Sequence, residues 1–276
     1  AVPRPPRLLP AGRMSARLAV FGHPIAHSRS PVIHRAFAAQ TGIDLRYEAI
    51  DSPPERFVDD LHDFDGIGAN VTLPLKGLAA MQCSRLSERA QRAGAVNTLK
   101  REAGGWFGDN TDGAGLCDDL ARLGIALGDA RVLILGAGGA TRGILAPLLA
   151  QRPAQIVVAN RTLETAQHLA AQFAALGPIS ACDNRLAGQS AFDVVIHASA
   201  VFHGGGEFAF ATQVFDGAAV VDLSYGKAHA PLRELATASG ARAVHDGLGM
   251  LVGQAARSFE CWFGVRPNPW AVLAEL

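Results

Sequence analysis

The sequence predicts an α/β protein of two domains, and three observations carry that prediction. From Arg17 onward, short β-rich runs alternate with helical stretches, the rhythm of strands interleaved with covering helices. In mid-chain, RVLILGAGGATRG (131–143) is continuously apolar and then glycine-rich, as expected of a strand buried on both faces that turns sharply into a helix. Near the end, GLGMLVGQAARSFECWFG (247–264) repeats Leu248, Leu251, Val252, Ala255, Phe259 and Trp262 at helical spacing, so a mostly apolar helix must pack on something already built. Length agrees, because 276 residues suffice for two ordinary domains and 49% hydrophobic residues can fill two cores.

Each element follows in order. The first strand is LAVFG (18–22); a helix then begins with Ser30 as N-cap and Pro31 at its first position, and stops near Gly42. Strand-like runs follow at LRYEAI (45–50) and GIGANV (66–71). A helix carrying Glu88 leads into AVNTLK and WFGDN, and a further helix runs from about Asp112 to Gly124. Beyond the glycine-rich turn comes a helix interrupted by Pro147, then the strand QIVVAN, the helix TLETAQHLAAQF, and the strands FDVVIH and AAVVDLS separated by a glycine-rich loop. The domain boundary falls within residues 112–128.

Composition narrows the function. The 25 basic residues cancel the 25 acidic ones, and a sequence pI near 7.3 leaves no field to hold nucleic acid or an anionic membrane surface. Arg131, Arg142, Arg152 and Arg161 break the most hydrophobic third, so no run spans a bilayer. Cys83, Cys117, Cys182 and Cys261 have neither zinc-site nor CxxC spacing and read as small buried residues in a reducing, cytoplasmic setting. Residues 1–16 carry Pro and Arg without the apolar stretch of a secretory signal; they read as a flexible extension, with Met14 a candidate natural start.

Chemistry enters at the glycine-rich turn. Gly136, Ala137, Gly138, Gly139 and Ala140 follow a buried strand and open a helix, the arrangement that lets a pyrophosphate approach helix N–H groups. The third position of the dinucleotide pattern is Thr141 instead of Gly or Ala, so these residues also fit a tight turn without ligand. At the end of the next strand, an NAD-binding site places a carboxylate on the ribose; here stand Asn160, Arg161 and Thr162. A carboxylate would repel a 2′-phosphate, whereas an arginine and an amide would bind it, which favours NADP(H) in a Rossmann-like domain. Arg161 solvating a helix start is the other reading, and the helix dipole disfavours it.

Four polar segments in the first 113 residues are expected at strand ends: HSRSP, NVTLPLK, AVNT and GDNTDG. Ligands of open α/β sheets gather outside the carboxyl ends of strands, so these segments are expected to line one crevice. They supply hydroxyls from Ser28, Ser30 and Thr72, amides from Asn70 and Asn97, the ammonium of Lys76 and the carboxylate of Asp112, an inventory suited to a small polyhydroxylated acid. Singly, each residue also reads as a cap, a turn or a surface charge.

GHPIAHSRSP, GANVTLPLK, AGAVNTL, GDNTDGAG, GAGGATRG, ANRT and GLGMLVGQAARSFECW occur in the order and spacing of one family, and from Leu18 to about Gly264 the chain resembles the shikimate dehydrogenases. That resemblance implies reversible NADPH-dependent reduction of 3-dehydroshikimate to shikimate, on the route to chorismate and the aromatic amino acids. It implies that Ser28 and Ser30 hold the substrate carboxylate and that Thr72, Asn97, Asp112 and Gln254 bind ring hydroxyls, assisted by Tyr225. Lys76 and Asp112 would be the catalytic pair. The cofactor would lie on the turn 136–140 and the patch 160–162, with Leu223 and Gly247 near the nicotinamide, and no metal is needed. The implied architecture has residues 17–112 as substrate domain, completed by the C-terminal helix (248–276), which returns to it, and 113–247 as the Rossmann-like domain. A monomer or homodimer is expected.

Some positions depart from the family pattern. His23 replaces an asparagine before Pro24, Thr165 stands where a basic residue is frequent, and Lys227 replaces a proline in DLSYGK. In HASAVFHGG (197–205), His197 and Ser199 replace Asn and Thr beside the nicotinamide side of the cleft. Open alternatives are a quinate/shikimate dehydrogenase of broader specificity, a ligand-binding regulatory paralogue without turnover, and a nucleotide-binding structural module. Retention of Lys76 and Asp112 weighs against the second, and the first-domain polar cluster against the third.

Overall fold

The structure, a computed structural model, describes residues 15–185, 187–199 and 210–276. Residues 1–14 of the expected extension and residues 200–205 of HASAVFHGG therefore lie outside the described residues.

The first domain contains β1 (Ala16–Gly22), α1 (Ser30–Thr41), β2 (Leu45–Asp51), α2 (Phe57–Asp63), β3 (Gly68–Val71), α3 (Lys76–Met81), β4 (Cys83–Leu86), α4 (Glu88–Ala93), β5 (Thr98–Glu102) and β6 (Gly105–Asp109). Its sheet runs β2-β1-β3-β5-β6-β4, parallel through β2-β1-β3 and antiparallel where β5 meets β3 and β6. Both faces of β1 are buried. Ala19 and Phe21 pack with Phe57 and Leu61, while Leu18 and Val20 pack with Tyr47 and Trp262.

One local expectation is corrected. Ser30 is the first helical residue of α1 and not its N-cap; Arg29 occupies the cap with α-helical backbone angles, and Pro31 stands one place further in. Ser28 Oγ accepts from the Ser30 N–H at 3.3 Å, so the preceding serine serves one of the helix's unsatisfied donors.

The second domain follows α5 (Asp112–Arg122). It contains β7 (Arg131–Leu135), α6 (Gly139–Leu149), β8 (Gln155–Asn160), α7 (Leu163–Phe173), β9 (Ile179–Asp183), β10 (Val194–His197), β11 (Ala219–Asp222), α8 (Ala230–Ala238) and β12 (Ala243–His245). The sheet is parallel throughout, in the order β12-β11-β10-β7-β8-β9. Val132 and Ile134 of β7 enter one core and Leu133 and Leu135 the other, which is why this strand reads as an unbroken apolar run.

The chain ends with α9 (Leu248–Phe263) and α10 (Pro269–Leu273). Val252, Ala255 and Phe259 of α9 share a core with Ile33 and Phe37 of α1, so the C-terminal helix returns to the first domain. It also lies directly against α5: a Cβ at Gly115 would come within 2.4 Å of the Gln254 backbone nitrogen, a contact that only glycine permits. Arg257 clamps the same crossing with two 2.8 Å bonds to Asp118.

Candidate active site

Lys76 opens α3 and Asp112 opens α5, and their side chains meet with Nζ donating to Oδ2 at 2.5 Å. Asp112 is buried and Lys76 nearly so, with side chains 7% and 18% exposed. The pair lies on a cleft of about 560 Å³ that is also lined by Ser28, Ser30, Thr72, Asn97, Tyr225 and Gln254. The residues singled out for substrate and for proton transfer therefore share one cavity, and Ala140, Leu223 and Gly247 of the expected cofactor set line it too.

The floor of this cleft is a buried polar lattice. Asn97 Nδ2 lies 2.8 Å from Asp112 Oδ1, 2.9 Å from Thr111 Oγ1 and 3.1 Å from Gln254 Oε1. Asn97 has two amide hydrogens to give, and Thr111 Oγ1 has further hydroxyl neighbours in Ser258 Oγ at 3.3 Å and Thr98 Oγ1 at 3.4 Å. Asn97 Oδ1 in turn accepts from the Thr111 N–H at 2.9 Å and from Thr98 Oγ1 at 2.8 Å. Both oxygens of Asp112 are thereby engaged and its orientation is fixed before any substrate enters. Lys76 spends one of its three N–H donors on Asp112, and the ammonium borders the cavity.

Asn70 lines the cleft as its sequence position suggests, but its amide is engaged by the protein itself. Its oxygen accepts from Tyr47 OH at 2.7 Å and lies 3.1 Å from His34 Nε2, while Nδ2 donates to the Asn97 carbonyl and to Ser258 Oγ, each at 3.0 Å. Fully engaged and 5% exposed, Asn70 props Asn97 from behind. His34 stacks on Tyr47 with ring centroids 4.3 Å apart, and burial holds its pKa at about 3 against the opposing Asn70 contact. Burial likewise pushes the Tyr225 phenol above its ordinary value, opposed by the Arg29 guanidinium.

Sequence reading missed Thr98, Thr111 and Ser258. Ser258 Oγ donates to the Gln254 carbonyl at 3.0 Å and lies 2.7 Å from Thr98 Oγ1 and 3.3 Å from Thr111 Oγ1, tying α9 to the strand ends. For Thr98 and Thr111 the available signal was AVNT and DNT, in each of which a polar run ends on a threonine; Ser258 carried none. His23, the departure before Pro24, stands at the cleft and pairs with Asp51 Oδ1 at 3.0 Å.

The glycine-rich turn lies at the end of β7. Gly136 adopts φ +109°, a left-handed conformation reserved for glycine, and Thr141 Oγ1 donates to its carbonyl at 2.7 Å. Thr141 is fully buried, so the unusual third residue of the pattern closes the turn from inside. A Cβ at Gly138 or Gly139 would meet nothing within 4 Å, leaving an open approach to the α6 N-terminus, as a pyrophosphate requires. Asn160 Oδ1 accepts from the Ala137 N–H at 3.3 Å and Asn160 Nδ2 donates to the Thr162 carbonyl at 3.0 Å, so Asn160 braces both segments. Arg161 and Thr162 are exposed, and α7 begins one residue beyond Thr162. An open glycine cradle beside an exposed arginine fits a dinucleotide with a 2′-phosphate.

Comparisons with known proteins identify the family. Residues 20–99 match the family model of the shikimate dehydrogenase substrate binding domain, 119–203 that of shikimate / quinate 5-dehydrogenase, and 247–276 that of the shikimate 5′-dehydrogenase C-terminal domain. The NADP(+) shikimate dehydrogenase of Dechloromonas aromatica is 47% identical over 95% of this chain and 98% of its own length. Among solved structures, the Ael1 enzyme of Pseudomonas putida superposes with a TM-score of 0.89 at 38% identity, covering 95% of this chain and 98% of that one. The shikimate 5-dehydrogenase of Thermus thermophilus, in complex with NADP(H) and shikimate, gives 0.84 at 34% identity, covering 94% and 97%.

Proposed function

The chain belongs to the shikimate dehydrogenase family, and from that membership and the site's geometry we infer that it catalyses the reversible NADPH-dependent reduction of 3-dehydroshikimate to shikimate. The observation that carries this reading is the buried Lys76–Asp112 pair, 2.5 Å apart, in a cleft that joins the polar lattice to the cofactor segments.

The substrate carboxylate belongs with the Ser28 and Ser30 hydroxyls at the start of α1. The ring hydroxyls belong with Thr72, Asn97, Asp112 and Gln254, and Tyr225 reaches in from the second domain. Gly136, Ala137, Gly138, Gly139 and Ala140 would hold the pyrophosphate, Asn160, Arg161 and Thr162 the 2′-phosphate, and Leu223 and Gly247 the nicotinamide end. When bound, NADPH supplies the hydride. Reduction of a ketone builds negative charge on its oxygen; the Lys76 ammonium stabilises that charge and delivers a proton to the same oxygen. In the oxidising direction Lys76 accepts the hydroxyl proton. Asp112 holds the ammonium in place and accepts from the neighbouring hydroxyl.

We draw the domain divide at residues 112–113, with 17–112 and 248–276 forming the substrate domain and 113–247 the Rossmann-like domain. All these groups come from one chain, which suits a monomer and a homodimer equally. Among the described residues no helix is long and apolar enough to cross a membrane. The four cysteines are unpaired, which supports a reducing, cytoplasmic setting.

The test is absorbance in the NADPH band when purified protein meets shikimate or quinate, each with NADP or NAD. Signal confined largely to shikimate with NADP is expected. Comparable signal with quinate or NAD would replace this reading with a broader dehydrogenase, and silence in all four mixtures, with ligand binding still detectable by calorimetry, would make the chain a sensor or a paralogue acting on another acid.

A further inference from the structure

The helix that opens at the glycine-rich turn, α6, also backs the carboxylate of the acid/base pair. Gly143 stands four residues into α6 and is buried. A Cβ there would lie 3.4 Å from Asp112 Oδ2 and 3.3 Å from both polar atoms of the Asn110 amide. Across the same crossing, a Cβ at Gly113 of α5 would come within 2.7 Å of the Gly143 carbonyl oxygen and of Pro147, and within 2.9 Å of the Ile144 Cα. Two residues without side chains thus let α5 and α6 meet backbone to backbone, and Asp112, the first residue of α5, lies on that seam. Its Oδ2, the oxygen nearest Gly143, is the one that accepts from Lys76 Nζ at 2.5 Å.

Asn110 fills the space between α6 and the strand ends. The Ala95 carbonyl can only accept, so the atom 3.0 Å from it is the amide nitrogen, and Asn110 Oδ1 accepts from the Asp112 N–H at 3.2 Å. Asn110 is 2% exposed, and its own N–H donates at 2.8 Å to Asp109, a carboxylate that Arg89 grips with two N–H groups. Asp112 is therefore held by Asn97 at one oxygen and Lys76 at the other, with α6 and the Asn110 amide behind it. The start of α6 is also where the cofactor's pyrophosphate would rest. Hydride and proton must reach the carbon and the oxygen of one carbonyl group, and a misplacement of about 1 Å can cost about 10²-fold in rate. We propose that Gly143 and Asn110 are positioning residues that set the Lys76–Asp112 pair against the cofactor helix, so that one element places both the hydride donor and the proton donor. This rests on the dehydrogenase reading above.

The experiment follows a single turnover of saturating shikimate and NADP by stopped-flow absorbance, in water and in deuterium oxide, beside calorimetric NADP binding. Gly143→Val sets a branched side chain against Asp112 and is expected to slow the turnover about tenfold or more and to enlarge the solvent isotope effect, with NADP affinity changed less than about twofold. Gly143→Ala, which asks its neighbours to give by only a few tenths of an ångström, should fall between Gly143→Val and the wild type. Asn110→Ala, which withdraws the acceptor of the Asp112 N–H, should act in the same direction. Ile144→Val, a change in the core on the same helix, should lower thermal stability and leave rate and isotope effect at their wild-type values. A merely structural role for Gly143 and Asn110 predicts fewer active molecules, hence a smaller amplitude with rate and isotope effect unchanged, and that result would overturn the proposal. Where Gly143→Val does not fold, Gly143→Ala and Asn110→Ala decide by the same readouts. If the wild-type protein forms no NADPH from shikimate, the dehydrogenase reading itself falls and the proposal with it.

Discussion

On the substrate side of the cleft, Asn97, Thr111, Asp112, Gln254 and Ser258 are buried and bonded to one another, whereas on the cofactor side Arg161 and Thr162 are exposed and Gly138 and Gly139 face open space. The two halves recognise ligands by opposite means. The substrate lattice is organised in advance, so its orientation is part of the folding free energy and costs little when substrate arrives. The cofactor edge uses backbone donors and a side chain free to move, which gain their partners only when the phosphates come. Damage to the first should appear in rate and stability, and damage to the exposed cofactor edge in affinity.

The largest expected effect tests the substrate side. Lys76→Ala should lower turnover about 10²- to 10⁴-fold, the contribution typical of a positioned acid/base group, while shikimate binding by calorimetry persists. Near-normal turnover would remove Lys76 from proton transfer. Arg161→Ala should weaken NADP about ten- to a hundredfold, as loss of a charge-assisted contact does, and leave NAD affinity and thermal stability unchanged. Equal losses for both cofactors would mean that Arg161 does not read the 2′-phosphate.

Two smaller effects sharpen the contrast through stability. His34 lies behind the substrate lattice with its pKa lowered from 6.5 to about 3, so its ring is neutral in the fold and the unfolded chain binds the proton more readily. The stability it contributes is complete above pH 6.5 and is lost as pH falls toward 3. Between pH 7 and pH 5, urea unfolding should register a loss of about 2 kcal/mol that His34→Gln abolishes. Equal pH dependence in both proteins would contradict the assignment. Thr141→Val, which removes the bond to the Gly136 carbonyl inside the turn, should cost about 1 kcal/mol in the same assay and disturb NADP more than shikimate.

The same contrast decides what the sequence could reveal. β1, β7, β8, β10 and β11 are legible because burial on both faces leaves a short, mostly apolar run of strand length. β4, β9 and β12 are not, because they end their sheets and none of their residues is fully buried, so no periodicity marks them. Lys76, Asp112 and the glycine turn stand out because their motifs occur together and in order, although singly each reads as a cap, a turn or a surface charge. Thr98, Thr111 and Ser258 are ordinary small hydroxyls, and their role appears only once α9 crosses the strand ends and brings Ser258 within 2.7 Å of Thr98. The approach of Gly143 to Asp112 is invisible for the same reason: it is made where α5 crosses α6, not by nearness along the chain.

That Lys76 and Asp112 act as one unit is tested most directly by a double-mutant cycle with Lys76→Ala, Asp112→Asn and the combination, read as kcat for shikimate oxidation with saturating NADP. A coupled pair predicts that the double variant is about as slow as the slower single variant, because either change already dismantles the same device. Losses that multiply, with each substitution exerting its full effect on top of the other, would mean that the two side chains act separately despite their 2.5 Å contact.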